Sequence, residues 1–206
     1  MSIQLKKRIL KSIMTLFPAT PSETDFSLRE IFHTDKYITG SKAYQDEVKL
    51  ETAKWRYQYE NQLAVPMIEK YFPEFDFKSL RGKVLLDVGC YTGGRSIFYK
   101  ERYGMSKVIG IDIDKVFSEA AYLFTAKKKQ TDVEFHVGFA ENLPFADNIF
   151  DVIITTDVFE HVQDVQKCML ECKRVLKSTG VLLVAFPQYL QPLEAHLGLV
   201  TRVNFL

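Results

Sequence analysis

Residues 83–94, KVLLDVGCYTGG, constrain this chain more than any other stretch. Lys83 to Val88 is a short aliphatic run that stops at Gly89, with Gly93 and Gly94 close behind. The pattern predicts a buried strand, a tight turn and a helix start. Glycine at such a turn predicts a sharp backbone reversal and the close approach of a ligand, and the first N–H groups of the following helix predict an electropositive rim. Asp87, a carboxylate inside an apolar strand, is expected to repel a diphosphate and attract a cation. In the register Gly89, Tyr91, Gly94, a tyrosine stands where the dinucleotide fingerprint has its second glycine, so a pyrophosphate would be crowded.

S-adenosylmethionine, which carries an ammonium and a sulfonium and no phosphate, suits both departures. The stretch Leu85, Leu86, Asp87, Val88, Gly89, Cys90, Tyr91, Thr92, Gly93 resembles motif I of the class I (Rossmann-like) S-adenosylmethionine-dependent methyltransferases of the type 11 kind. Tyr91 is its one departure. The resemblance implies a doubly wound, mostly parallel α/β sheet and places Asp87, Gly89, Cys90, Tyr91 and Gly93 at the methyl donor.

The pattern after Gly82 agrees, because it alternates strand and helix. Strands are expected at 83–88, 107–113, 133–137, 150–155 and 181–186, and helices at about 94–103, after Asp114 up to Lys127–Lys129, and over 162–177. Asp114 is read as the cap of the second helix, whose lysine run suits a solvated C-terminus. Asp112 ends the second strand, 23 positions beyond Gly89, where an open sheet brings its two oxygens beside the glycine turn and within reach of ribose hydroxyls.

Farther on, VEFHVGFAENLPFADNIFDVIITTDVFEHV resembles the same family. By that resemblance Ile113, Ala140 and Glu141 belong to the donor site, the last two beside the adenine, and Thr156 lies near the methionine half. Phe139 departs from the family, many of whose members have an aspartate there for the adenine amino group, and stacking or packing would replace that hydrogen bond. Glu160 and His161 are the catalytic candidates, His161 as a base for an acceptor hydroxyl, with a capping or orienting role on the next helix as the alternative. Methyl transfer from a sulfonium needs in-line placement and desolvation more than a strong base.

Ahead of the sheet, residues 1–80 are read as a helical cap, residues 81–187 as the donor-binding core and 188–206 as a shortened tail. Residues 42–71 should be mostly helical with a break at Pro66. Tyr44, Val48, Trp55, Tyr59 and Leu63 form a helical stripe, and Tyr37, Tyr44, Trp55 and Arg56 are candidates to meet ligand under a lid. A short helix is expected within 22–35, capped by Ser22 or Asp25. The basic segment 5–17, LKKRILKSIMTLF, suits a packed or solvated helix, with peripheral membrane contact or targeting as rival readings. The family's last two strands have no counterpart in the tail, which is expected to hold a short helix and no hairpin. The fifth strand then becomes an apolar edge, to be covered by the tail, by a longer chain or by self-association.

The 206 residues are 47% hydrophobic and 26% charged with net charge +1, which suits one globular domain and carries no nucleic-acid footprint. No apolar run reaches the ~20 residues of a membrane span. Cys90, Cys168 and Cys172 show no disulfide or zinc spacing, no metal is expected, and a reducing cytoplasm is the default compartment. The function expected is methyl transfer to a small-molecule acceptor, yielding S-adenosylhomocysteine. The rivals are a binding or scaffold protein without turnover and a nicotinamide-dependent oxidoreductase.

Overall fold

The computed structural model describes residues 31–185 and the residue pairs 193–194 and 199–200. Thr39–Phe186 form one compact unit; Met1–Ile38 with Pro187–Leu206 form another. The basic segment 5–17 and the caps at Ser22 and Asp25 lie outside the described residues. In the smaller unit, α1 spans Asp35–Ile38. Its tail holds β6 (Leu193–Glu194) and β7 (Leu199–Val200), which pair antiparallel where a short helix was expected.

The larger unit opens with α2 (Lys42–Tyr59), whose first turn is capped by the Ser41 hydroxyl accepting from the Tyr44 N–H. The helix widens into a π turn at Glu60–Ala64 and resumes as α3 (Val65–Tyr71). Pro66 explains the widening: it has no N–H to donate, and its ring would strike the carbonyl four residues back. The buried line of α2 is Lys49, Thr52 and Ala53, continued by Glu60. Tyr44, Val48, Trp55 and Tyr59 are only half-buried and flank that line.

A 3-10 turn at Phe77–Leu80 leads into the sheet. Its strands are β1 (Val84–Val88), β2 (Lys107–Asp112), β3 (Val133–Val137), β4 (Phe150–Thr156) and β5 (Leu176–Ala185). They are all parallel in the order β3-β2-β1-β4-β5, the doubly wound arrangement expected from the alternating pattern. Two cores follow from the alternation of side chains along the strands. Leu85, Val108, Phe135 and Ile154 pack on one face with Ile97, Phe98 and Phe124. Leu86, Ile109, Ile111 and Ile153 pack on the other with Cys172 and Val175.

Three helices complete this unit: α4 (Gly94–Tyr103), α5 (Lys115–Lys128) and α6 (Val165–Val175). Asp114 caps α5 by accepting from the Val116 N–H at 2.7 Å. Lys128 is not merely solvated: its Nζ lies 2.9 Å from Glu101 and 3.8 Å from the centre of the Tyr57 ring, tying α2, α4 and α5 together. Tyr57 also meets the rings of Phe98 and Phe124, so α2 packs in the same unit as the sheet.

Helix α6 stops two residues early, at Val175, and β5 begins at once. Leu176 is already extended and pairs with Phe150, Lys177 binds Asp151 at 2.9 Å, and the ladder shifts register between Phe150 and Val152. Among the described residues β5 has a strand partner on the β4 side only. No helix among them is long and apolar enough to cross a membrane.

Candidate functional site

The C-terminal ends of β1, β2 and β4 converge on the glycine turn. Gly89 and Gly93 hold φ of +72° and +75°, and between them Tyr91 holds +51°, a left-handed conformation that costs a side-chain-bearing residue about 1–2 kcal/mol. Two interactions keep it there. The Tyr91 N–H donates to Asp112 Oδ2 at 2.8 Å, and the buried Tyr91 ring meets Phe117 edge-on at 4.1 Å. The second carboxylate therefore reaches the glycine turn as expected. Asp112 Oδ1 accepts from the Asp114 N–H at 3.0 Å, which fixes the carboxylate plane.

The glycines also make room for the protein's own atoms. A Cβ on Gly89 would lie 2.3 Å from Val158 Cγ2, one on Gly93 2.5 Å from Phe135 Cζ, and one on Gly94 2.5 Å from the Tyr57 backbone nitrogen. Protein atoms occupy the space the side chains would need. Within the turn itself, Gly89 and Cys90 donate to the Ile111 carbonyl, and Gly93 donates to that of Cys90. The Cys90 thiol turns inward toward Gly110, and burial, then Asp87 and Asp112, push it well above the ordinary thiol range.

Asp87 is likewise not an open cation site. It is fully buried, accepts from the Ser96 hydroxyl at 2.6 Å and faces Arg95 Nη2 at 3.3 Å, while that nitrogen donates to the Gly89 carbonyl. Burial raises the Asp87 carboxyl above its usual value against the opposing pull of Arg95 and Ser96. Burial would lower Arg95, but Asp87, Tyr99 and Glu60 outweigh it and hold the guanidinium charged. Arg95 and Ser96 were missed from the sequence, yet a signal existed: an arginine in the first turn of α4 opposes the helix dipole and needs a nearby acid.

Around the turn, several buried polar atoms have no hydrogen-bond partner: Thr92 Oγ1, Arg95 Nε, Tyr99 Oη, Thr155 Oγ1, Thr156 Oγ1 and both carboxylate oxygens of Glu60. Buried polar groups are nearly always paired, so their concentration here marks a place built for something polar. Beyond Asp112 the rim turns apolar, with Ile113 63% and Phe139 58% exposed at the ends of neighbouring strands. Ala140 packs against the second core, and Glu141 Oε1 accepts from the Gln163 N–H at 2.9 Å.

Glu160 and His161 lie in the turn after β4, both exposed, with Nε2 3.9 Å from Oε1. They do not cap α6. Asp164 does, accepting from the Lys167 N–H at 2.9 Å. On α2, Arg56 lies 5.0 Å from the Tyr59 ring centre and 5.5 Å from that of Tyr91, and Trp55 stacks on Tyr59. Arg56 is thus brought to the turn, whereas Tyr37 belongs to the other unit. No group of three or more metal-ligating side chains occurs among the described residues.

Residues 86–184 match the family model described as a methyltransferase domain. Norajmaline N-methyltransferase of Rauvolfia serpentina is 36% identical over 102 residues, 49% of this chain and 35% of that protein. Malonyl-[acyl-carrier protein] O-methyltransferase 1 of Coxiella burnetii is 32% identical over 127 residues, 61% of this chain and 42% of that protein. The chain thus spans less than half the length of these curated relatives. A crystal structure of a SAM dependent methyltransferase from Aquifex aeolicus superposes with a TM-score of 0.51 at 28% identity, over 57% of this chain and 62% of that one. The strand order, the acid ending β2 and this match agree in making residues 86–184 similar to the methyltransferase domain of the class I S-adenosylmethionine-dependent methyltransferases.

Proposed function

We propose that this protein binds S-adenosylmethionine over the C-terminal ends of β1, β2 and β4 and transfers its methyl group to an O, N or C nucleophile of a small molecule. The observation that carries the reading is the Asp112 carboxylate locked against the glycine turn beside an exposed apolar rim. A carboxylate held in plane by two backbone N–H groups retains lone pairs for the two hydroxyls of a ribose. Ile113 and Phe139 offer apolar surface to the purine, with Phe139 taking the place of a hydrogen-bond acceptor. Thr156 offers an unpaired hydroxyl at the end of β4 for the methionine half. A dinucleotide is disfavoured, because a buried tyrosine, Tyr91, stands where the dinucleotide fingerprint has its second glycine.

When bound, the sulfonium supplies an electrophilic methyl carbon. The chain's own part is to place and desolvate the nucleophile and, for an O–H or N–H acceptor, to remove the proton. In this reading His161 takes the proton, and Glu160 beside it stabilises the imidazolium. Helices α2 and α3 act as the lid, and the core from about residue 81 onward holds the donor.

Calorimetric titration with S-adenosylmethionine and S-adenosylhomocysteine tests the donor site. Micromolar binding is expected, and Asp112→Ala should weaken it ~10- to 100-fold while the protein still melts cooperatively. A folded wild type that binds neither ligand overturns the reading. A panel of phenols, amines and carbon acids, followed by release of S-adenosylhomocysteine, identifies the acceptor. With a hydroxyl acceptor in hand, His161→Ala should lower turnover ~100-fold at unchanged donor affinity. Unchanged turnover would remove His161 from the chemistry and leave placement alone to account for it.

A further inference from the structure

Glu60 occupies a position that helical periodicity reserves for a core residue. Lys49, Thr52, Ala53 and Glu60 follow one line along α2, and Glu60 is fully buried at its end, in the first residue of the π turn. Neither of its oxygens has a hydrogen bond. Arg56 Nε comes within 2.7 Å of Oε1, but the approach is not aligned for one. A buried carboxylate in that state is costly unless a cation with donors completes it.

The surroundings say what kind of cation. The charge of Glu60 is felt at Asp87, Arg95 and Tyr99, so it faces the buried polar cluster beneath the glycine turn. The π turn borders α4, and the missing side chain of Gly94 lets the Arg56–Tyr57 backbone settle directly on the start of that helix. Glu60 and Arg56 therefore present opposite charges side by side, Arg56 over the Tyr91 ring and Glu60 toward Arg95 and Tyr99, whose Nε and Oη have no hydrogen-bond partner. A small zwitterion is complementary to this arrangement: its ammonium supplies donors to Glu60, and its carboxylate accepts from the arginine side.

We infer that the Arg56–Glu60 pair, where α2 passes into the π turn, is the clamp for the amino-acid end of the methyl donor, with Glu60 as the ligand of its ammonium. The inference rests on the donor-binding reading above and adds to it a contact from the lid. Asp87, the carboxylate the sequence favours for this task, is already held by Ser96 and Arg95. The lid then senses the donor's tail, and its seating on the turn is coupled to donor binding.

Three ligands and one variant test this: S-adenosylhomocysteine, its des-amino analogue, and 5′-methylthioadenosine, which keeps the nucleoside and thioether but lacks the tail. The wild type is expected to bind the des-amino analogue ~10- to 100-fold more weakly than S-adenosylhomocysteine, a comparison that needs no variant to fold. Glu60→Gln, of the same shape, is expected to lose a similar factor for S-adenosylhomocysteine and nothing for 5′-methylthioadenosine. Equal loss of both ligands in the variant makes Glu60 a packing residue and overturns the inference, as does a wild type that is indifferent to the ammonium. A wild type that binds 5′-methylthioadenosine and S-adenosylhomocysteine equally overturns the clamp and leaves the nucleoside site standing. A wild type that binds none of the three overturns the donor site itself.

Discussion

Replacing Gly93 with alanine is expected to destabilise the protein by about 2–5 kcal/mol, combining the cost of a left-handed residue with that of overpacking. Gly93 has φ +75°, and its new Cβ would meet Phe135 Cζ at 2.5 Å and Ala121 Cβ at 2.7 Å. Phe135 is fully buried between β2 and the helices and has little room to retreat. Gly82 supplies the control: its φ is +73°, but nothing lies within 4 Å of its missing Cβ. Gly82→Ala should therefore show the backbone cost alone, about 1–2 kcal/mol. Urea denaturation of both variants separates the terms. If Gly93→Ala costs no more than Gly82→Ala, the contact beneath the turn is soft and the packing argument for this glycine fails.

Arg95→Ala is expected to cost about 3–5 kcal/mol, because it leaves Asp87 as an uncompensated buried charge. Asp87→Leu combined with Arg95→Met, which replaces the pair with apolar groups of similar bulk, should recover most of that loss. The pH dependence distinguishes this from simple loss of packing. The folded Asp87 carboxyl is already raised by burial, so folding favours its protonated form. A raised carboxyl contributes stability that is full below its unfolded value and is lost as pH rises through its folded value. Removing Arg95 takes away the largest opposing influence, so the deficit of Arg95→Ala should shrink as the pH falls toward the ordinary carboxylate range. A deficit independent of pH would mean that the lost volume, not the stranded charge, sets the cost.

The match between pattern and fold is close where the physics is local. The five strands fall within a few residues of the aliphatic runs that announce them, and Asp114 caps α5 because a short acceptor before an apolar run is sufficient signal. Errors cluster where a distant contact outbids the local one. Helix α6 surrenders Leu176 and Lys177 to β5 because pairing with Phe150 and an ion pair with Asp151 are available there. Capping of α6, the alternative role for Glu160 and His161, falls instead to Asp164, nearer its start.

What the sequence determined by itself is the architecture and the neighbourhood of the site: periodicity sets the alternating elements, the parallel order follows from short crossovers, and Asp112 must then end beside the glycine turn. Motif and family likeness are equally linear properties, carried by residues 86–184. Only the tertiary structure decided what each charged group does. Asp87 is sealed by Arg95 and Ser96, the glycines make room for Val158, Phe135 and the α2 backbone, and Glu60 is driven into the polar cluster by a π turn ahead of Pro66. The reason is that burial and pairing are set by atoms far apart in the chain, and a carboxylate's role depends on which of those atoms arrive first at its oxygens.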